Sequence, residues 1–376
     1  MIYKGSFSSH RIVYSATPRD KIPQPYLKKK KKSIMSLNIE IMGHRGNKQF
    51  CDLEYTDPSY IRENSLKGFD YSLIEKNTCD YIETDLRLTK DKQIVIIHDN
   101  DLQRCYNVDI GCTIDQADSS LLIKHGVPTF KQFLDWYLHT YGGHKKVILD
   151  IKAVVPIEIL QFLEKELLEH VQDKDSLLKI QKHFILGLWM PSQKAYIKEH
   201  CSFLTKFEKI NITLSISKFI NEFYEPDFGF IGCSMHYLSS WDASNIKPLF
   251  EFLKANKDVY NKNNQFLITL WTVNDVNIIN QTLKLIKDSI SEISDFDGFN
   301  TLKIALCTDN PDLMHKTYIQ EDIFNKSAYS LIFTKFQITQ KIWTFNFITY
   351  MLYSKWFRYE IMGFSVMNLF RKISGI

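Results

Sequence analysis

The chain has 376 residues, of which 44% are hydrophobic and 24% charged, and a formal net charge of +4. This composition supplies a large apolar core and excludes a wholly disordered chain. No apolar run reaches the roughly 18 residues of a bilayer span, which excludes a multi-span membrane protein.

The first 37 residues read as a flexible basic extension. They contain Pro18, Pro23, Pro25 and the run Lys28 to Lys32, and no apolar periodicity. Few acids and spaced basic residues also fit a mitochondrial presequence, although the prolines and the unbroken lysine run argue against one. Met35 is an alternative start. Residues 1–36 carry nine Lys or Arg against Asp20, and residues 326–376 carry seven against Glu360, so the middle of the chain is acidic. A nucleic-acid binder places its positive charge on the folded domain. Basic ends flanking an acidic body suit an anionic membrane surface instead, and no nucleic-acid partner is expected.

Residues 38–318 alternate short β-rich runs with helical stretches. Strands are predicted at Ile39–His44, Tyr81–Leu88, Ile94–His98, Lys146–Ile151, Phe184–Trp189, Ile212–Ile216, Phe230–His236, Phe266–Val273 and Ile304–Thr308. Between them lie amphipathic segments such as Ser65–Lys76, with Leu66, Phe69, Leu73 and Ile74 on one face. Such alternation predicts a parallel sheet, and at this length a (β/α)₈ TIM barrel, with a doubly wound open sheet as the alternative. One strand is in excess. Tyr81–Leu88 and Ile94–His98 are too close for a crossover helix, so they are expected to form a hairpin around Thr89–Gln93. A turn centred between Asp91 and Lys92 sets Asp85 opposite His98, and a one-residue slip sets Ile97 or Asp99 there.

Residues 319–376 form the tail. Ile342–Ser354 is uncharged, and the segment holds Trp343, Phe345, Phe347, Tyr350, Tyr353, Trp356 and Phe357; Ile361–Phe370 is a second uncharged run. Neither run spans a bilayer. Aromatics flanked by cations favour a membrane interface, so a monotopic hairpin or in-plane helix is expected over two helices packed on the barrel.

Four segments within or ending predicted strands carry chemistry: Gly43-His44-Arg45-Gly46, Glu83-Thr84-Asp85, His98-Asp99 and Asp150-Ile151-Lys152. The carboxyl ends of barrel strands form the catalytic face. Glu83 and Asp85, two apart on one strand, leave the same face and repel each other unless neutralised. A divalent cation resolves that repulsion, with Asp150 as a third carboxylate, and oxygen ligands favour Mg²⁺ or Ca²⁺ over zinc. Seven cysteines without CxxC spacing argue for reduced thiols in an intracellular setting, against a zinc ribbon or a disulfide scaffold.

These blocks occur in a recognisable order. His44-Arg45-Gly46, Glu63-Asn64-Ser65, Tyr81 to Asp85, Thr89-Lys90-Asp91, Val95 to Asp99, Leu149 to Lys152, Trp271 to Asn274 and Thr308 to Pro311 resemble the glycerophosphodiester phosphodiesterase family. Ile185 to Trp189, His236 with Ser239-Ser240-Trp241, and Leu352 to Trp356 are similar to its yeast-type phosphatidylglycerol phospholipase C branch. The resemblance implies a phosphodiesterase that cleaves phosphatidylglycerol to diacylglycerol and glycerol 3-phosphate and holds a membrane through its C-terminal segment. It implies attack by the glycerol 2-hydroxyl, a cyclic phosphate, and His44 and His98 exchanging acid and base roles. Glu83, Asp85 and Asp150 would hold the metal. Arg45 and Lys152 would hold phosphate charge, Glu63 would sit near the metal or the glycerol hydroxyls, and Trp271 would pack the glycerol or line the mouth. The expected setting is an intracellular membrane: mitochondrion, endoplasmic reticulum or lipid droplet. A tethered enzyme for soluble glycerophosphodiesters and an inactive lipid-binding barrel are the competing readings. Two departures stand out: Arg62 precedes Glu63 where the family has proline, and Asp150 stands where many members have glutamate.

Overall fold

The computed structural model describes residues 38–48, 60–213, 215–256, 265–293, 302–316 and 335–353. The basic extension, the start of the tail and its second uncharged run lie outside them.

Nine strands form one sheet: β1 (Asn38–Gly43), β2 (Tyr81–Leu88), β3 (Ile94–Ile96), β4 (Lys146–Ile151), β5 (Phe184–Leu188), β6 (Glu208–Ile212), β7 (Phe230–His236), β8 (Phe266–Trp271) and β9 (Leu302–Thr308). β1 pairs in parallel with β9 on one side and with β2 on the other, Met42 opposite Tyr81 and Gly43 opposite Ile82. That pairing closes an eight-stranded parallel barrel and excludes the open sheet. β3 stands outside the barrel, antiparallel to β2. The strands are buried on both faces, as a barrel wrapped by helices requires. Met42, Tyr81, Ile148, Ile185, Ile210, Leu267, Ala305 and Cys307 fill the interior. The outer helices bury one stripe each, as Ile159–His170 does through Ile159, Leu160, Leu163 and Leu167.

Two details differ from the sequence reading, and a register it left open is decided. The run Ile212–Ile216 is not a strand: β6 precedes it and ends at Ile212. The Thr213 hydroxyl accepts the Ser215 N–H at 2.9 Å, and the Ser215 hydroxyl accepts from Lys218 N, which caps a helical turn beginning at Ile216. In the hairpin the turn centres on Asp91, so Leu86 faces Ile96 and Asp85 falls opposite Ile97, whose N–H donates to the Asp85 carbonyl at 3.1 Å. The helix after Ser65 widens into a π-turn at Tyr71–Glu75, which rotates Ser72 into the core and leaves Ile74 45% exposed.

Part of the tail is a helix, Lys335–Tyr353. Ile338, Ile342 and Phe345 form its half-buried stripe, and Phe345 stacks on His236 at the end of β7. Phe336, Trp343 and Phe347 project from the opposite side, and the last two stack on each other at 5.7 Å. Among the described residues no helix is long and apolar enough to cross a membrane.

Candidate active site

The site is built at the carboxyl ends of the strands, beginning with the turn after β1. Two glycines make that turn possible. A Cβ on Gly43 would lie 2.1 Å from the Gly46 carbonyl oxygen. One on Gly46, at φ +80°, would lie 2.5 Å from Phe69 Cδ1. The Ser72 hydroxyl, carried inward by the π-turn, donates to the Gly46 carbonyl at 2.9 Å. Arg45, between the glycines, takes φ +54°, and its N–H donates to Glu83 Oε2 at 2.9 Å. The turn is therefore anchored on the acid that follows it in space.

The Glu63-Asn64-Ser65 block supports this turn from behind. Glu63, 2% exposed, accepts from Arg45 Nη1 at 2.7 Å and from both terminal nitrogens of Arg104 at 2.6 and 2.9 Å. Burial pushes its pKa up, but the Arg104 and Arg45 guanidiniums outweigh that and hold it at about 2. Asn64 donates to Asp85 Oδ2 at 2.8 Å and accepts from the Thr84 hydroxyl at 2.9 Å. Ser65 caps the helix through Gly68 N. The structure thus places Glu63 against two arginines, behind the cleft wall.

Glu83, Asp85 and Asp150 leave neighbouring strands β2 and β4, whose register sets Asp85 beside Asp150. One carboxylate oxygen from each lies within 4.8 Å of the others. Lys152 Nζ sits on two of them, 2.7 Å from Asp85 Oδ1 and 2.5 Å from Asp150 Oδ2. Trp189 Nε1 donates to Asp150 Oδ1 at 2.6 Å and holds this shorter carboxylate in place. Three buried acids share this lysine and Arg45. Burial, then Asp85 and Asp150, drive Glu83 well above the ordinary carboxylate range. Asp85 goes the other way: burial opposes its ionisation, but Lys152, His98 and Arg45 favour it more. Three buried carboxylates this close together could hold a divalent metal ion.

Each histidine has a carboxylate behind it. His44 Nδ1 lies 2.6 Å from Asp309 Oδ1, and His98 Nδ1 lies 2.7 Å from Asp99 Oδ1. Both acids are held well below the usual range: burial raises them, and the histidines, with Arg104 at Asp99, lower them further than burial raises. An ionised carboxylate accepts, so each histidine donates from Nδ1 and leaves Nε2 as the basic nitrogen. Burial, the largest effect on both rings, lowers their pKa values below 6.5. Asp309 is fixed in turn by Asn274 Nδ2 at 2.6 Å, and Asn274 Oδ1 accepts from Asp309 N and the Thr308 hydroxyl. Asp99 is fixed by Arg104 Nε at 2.6 Å.

The sequence reading assigned no role to Asp99, Asp309, Asn274 or Arg104. Asp99, Asn274 and Asp309 lay inside the matching blocks; nothing in local sequence signalled Arg104. His44, Arg45, Glu83, His98, Asp150, Lys152 and Trp271 all line one cleft of about 1340 Å³. Asp85 lies just beneath it. Trp271 ends β8 and forms the wall away from the hairpin, with its ring 6.4 Å from Trp189 and 5.1 Å from His236.

Two acid-backed imidazoles beside a carboxylate cluster, with a lysine and an arginine, could serve acid–base chemistry on an anionic substrate. The comparisons agree. Residues 44–313 match the model of the "Glycerophosphoryl diester phosphodiesterase family". A Bacillus subtilis (strain 168) protein, "Putative glycerophosphodiester phosphodiesterase YhdW", is 46% identical over 48 residues, a segment covering 13% of this chain and 19% of that relative. Among solved structures, the "Putative glycerophosphoryl diester phosphodiesterase" of Silicibacter pomeroyi DSS-3 superposes with a TM-score of 0.51 at 12% identity, over 76% of this chain and 95% of its own, and shares the barrel fold. A glycerophosphodiester phosphodiesterase from Thermotoga maritima gives 0.47 at 18% identity, over 74% of this chain and 98% of its own. With its family model spanning the barrel from His44 to the helix after β9, the chain belongs to the glycerophosphoryl diester phosphodiesterase family, a family of phosphoric diester hydrolases.

Proposed function

We propose that this protein is a divalent-metal-dependent phosphodiesterase of phospholipase C type, which hydrolyses phosphatidylglycerol to diacylglycerol and glycerol 3-phosphate at an intracellular membrane. The observation that carries the reading is exposed apolar surface at the cleft residue Val154 and on the outer side of the tail helix that packs on His236. Val154 is 76% exposed, and the tail helix turns Phe336 and Trp343 outward at 76% and 67% exposure. A soluble substrate gives no reason for such surface, whereas aromatics at an interface gain by partitioning into lipid. Lys335 and Lys341 on the same helix suit an anionic headgroup layer.

Glu83, Asp85 and Asp150 would hold Mg²⁺ or Ca²⁺, which would supply positive charge to offset that of the phosphodiester. Lys152 and Arg45 offset the remaining phosphate charge. Nε2 of one histidine takes the proton of the glycerol 2-hydroxyl as that oxygen attacks phosphorus. The bond to diacylglycerol breaks, and the other histidine protonates the leaving oxygen. Water then opens the five-membered cyclic phosphate with the roles exchanged, which gives glycerol 3-phosphate. A tethered nucleophile gains effective molarity over free water.

The test incubates purified protein with phosphatidylglycerol liposomes and with glycerophosphoglycerol, in Mg²⁺, Ca²⁺ or chelator. The reading requires metal-dependent release of diacylglycerol. Turnover of glycerophosphoglycerol alone makes the protein an enzyme of deacylated substrates instead. Diacylglycerol released at the normal rate from a 2-deoxy headgroup analogue means that water attacks directly.

A further inference from the structure

The tail helix reaches the rim of the cleft: its Phe345 ring stacks on His236, which lines the cleft. From the carboxylate cluster outward, Asp150 accepts from Trp189 Nε1 at 2.6 Å, and the Trp189 ring lies 6.4 Å from that of Trp271. Trp271 meets His236 edge-on at 5.1 Å, and His236 lies nearly parallel to Phe345, 22° between planes at 4.7 Å. Lys152 Nζ lies 5.7 Å from the centre of the Trp189 ring, and beyond it the row leads from the carboxylate cluster to the tail through Trp271, His236 and Phe345. His236 Nδ1 accepts from Leu238 N at 3.2 Å, and burial lowers the pKa of the ring to about 4, so at neutral pH it is an uncharged aromatic surface. The polar groups of the cleft, His44, Arg45, Glu83, His98, Lys152 and Asp309, lie in or follow β1, β2, the hairpin, β4 and β9, whereas β7 ends in His236 and β8 in Trp271. The cleft volume of about 1340 Å³ exceeds the roughly 300–1,000 Å³ of common small-ligand sites, which leaves room beside a headgroup for an apolar substituent.

We propose that the helix Lys335–Tyr353 completes the substrate cleft, with Phe345, His236 and Trp271 forming an apolar wall for the acylated side of the phosphodiester. The tail then sets selectivity for acylated over deacylated substrate, whatever it contributes to membrane attachment. The proposal rests on the lipid reading above and assigns to Phe345 and His236 the part of the lipid nearest the phosphate.

The experiment uses the full chain and avoids vesicles, so that membrane partition does not enter. The quantity read is the ratio of kcat/KM for a short-chain phosphatidylglycerol, kept below its micelle concentration, to kcat/KM for glycerophosphoglycerol. Phe345→Ala is expected to lower the ratio about tenfold, the scale on which an apolar pocket discriminates. Phe345→Leu should restore part of it. Thr344→Ala, on an exposed neighbour, controls for substitution in the helix as such. An unchanged ratio in Phe345→Ala, or an equal fall in Thr344→Ala, overturns the proposal while leaving the lipid reading intact. Wild-type enzyme that cleaves glycerophosphoglycerol but not the short-chain lipid overturns the lipid reading and this proposal with it.

Discussion

Replacing Asp309 by asparagine should invert the tautomer of His44. The argument follows from the partners. Asn274 Oδ1 is occupied by Asp309 N at 2.8 Å and the Thr308 hydroxyl at 3.1 Å, so its Nδ2 is the group that donates to Asp309 Oδ2 at 2.6 Å. In Asp309→Asn the side-chain oxygen must therefore turn toward Asn274, because two facing NH₂ groups repel. The new NH₂ then faces His44 Nδ1 across what was a 2.6 Å contact, and Nδ1 becomes an acceptor. The ring proton moves to Nε2, and the basic nitrogen is lost. A positioned acid or base contributes about 10²–10⁴-fold, so kcat/KM should fall by about that factor. Asp309→Ala, which frees the ring without forcing the wrong tautomer, should fall by less. The double variant Asp309→Asn with Asn274→Asp supplies an acceptor opposite the new NH₂, lets the amide oxygen return to His44, and should recover at least about tenfold. Steady-state turnover with each family substrate reads all four proteins. Asp309→Asn within threefold of wild type, or a double variant no better than the single, refutes the assignment of Asp309 and Asn274 as positioning residues for His44.

Four further outcomes are expected. His44→Ala and His98→Ala should each reduce turnover by at least about 10²-fold with little change in thermal unfolding, and the acid limb of the wild-type kcat/KM profile should lie below pH 6.5 because burial lowers both rings. Burial and the neighbouring acids raise Glu83 above its ordinary 4.5, so in the metal-free protein its contribution to stability is full below that pH and is lost as pH rises through the raised value. A divalent metal held as proposed would displace that proton, so the rise in Tm on adding Mg²⁺ or Ca²⁺ should be larger at pH 8 than at pH 5, in a scanning fluorimetry series. Gly46→Ala combines a left-handed backbone with a Cβ 2.5 Å from Phe69, and should cost about 2–4 kcal/mol in chemical denaturation. Deleting residues 326–376 should release the protein from phosphatidylglycerol liposomes in flotation assays while glycerophosphoglycerol is still turned over.

The barrel was legible because its strands are buried on both faces. Tyr81–Leu88, Lys146–Ile151 and Phe230–His236 are continuous runs with the observed bounds, and the strand in excess found its hairpin. Legibility failed where a local polar group outweighed an apolar run. Ile212–Ile216 has the composition of a strand, yet two hydroxyl residues end β6 and cap a helix there. The phase of Ser65–Lys76 assumed 3.6 residues per turn, and the π-turn at Tyr71–Glu75 breaks that assumption and moves Ile74 out to solvent. The hairpin register turned on one residue, and the slipped alternative is the one formed.

Within the site, the residues that face the cleft were legible and most of those that hold them were not. Histidines and acids at strand ends are conspicuous by type and place, so His44, Glu83, Asp85 and Asp150 stand out in the sequence. Glu63 shows the limit of that logic: it is an acid of the right type, and its carboxylate is taken up by Arg45 and Arg104. A positioning residue needs only to deliver one polar atom across a long loop of chain. His44 and Asp309 are separated by 265 positions, and Glu63 and Arg104 by 41. No periodicity links such pairs. They become visible only when barrel closure sets the end of β9 beside the end of β1. The same closure joins Asn274 after β8 to Asp309, so the tautomer of His44 is fixed by the last two strands of the barrel.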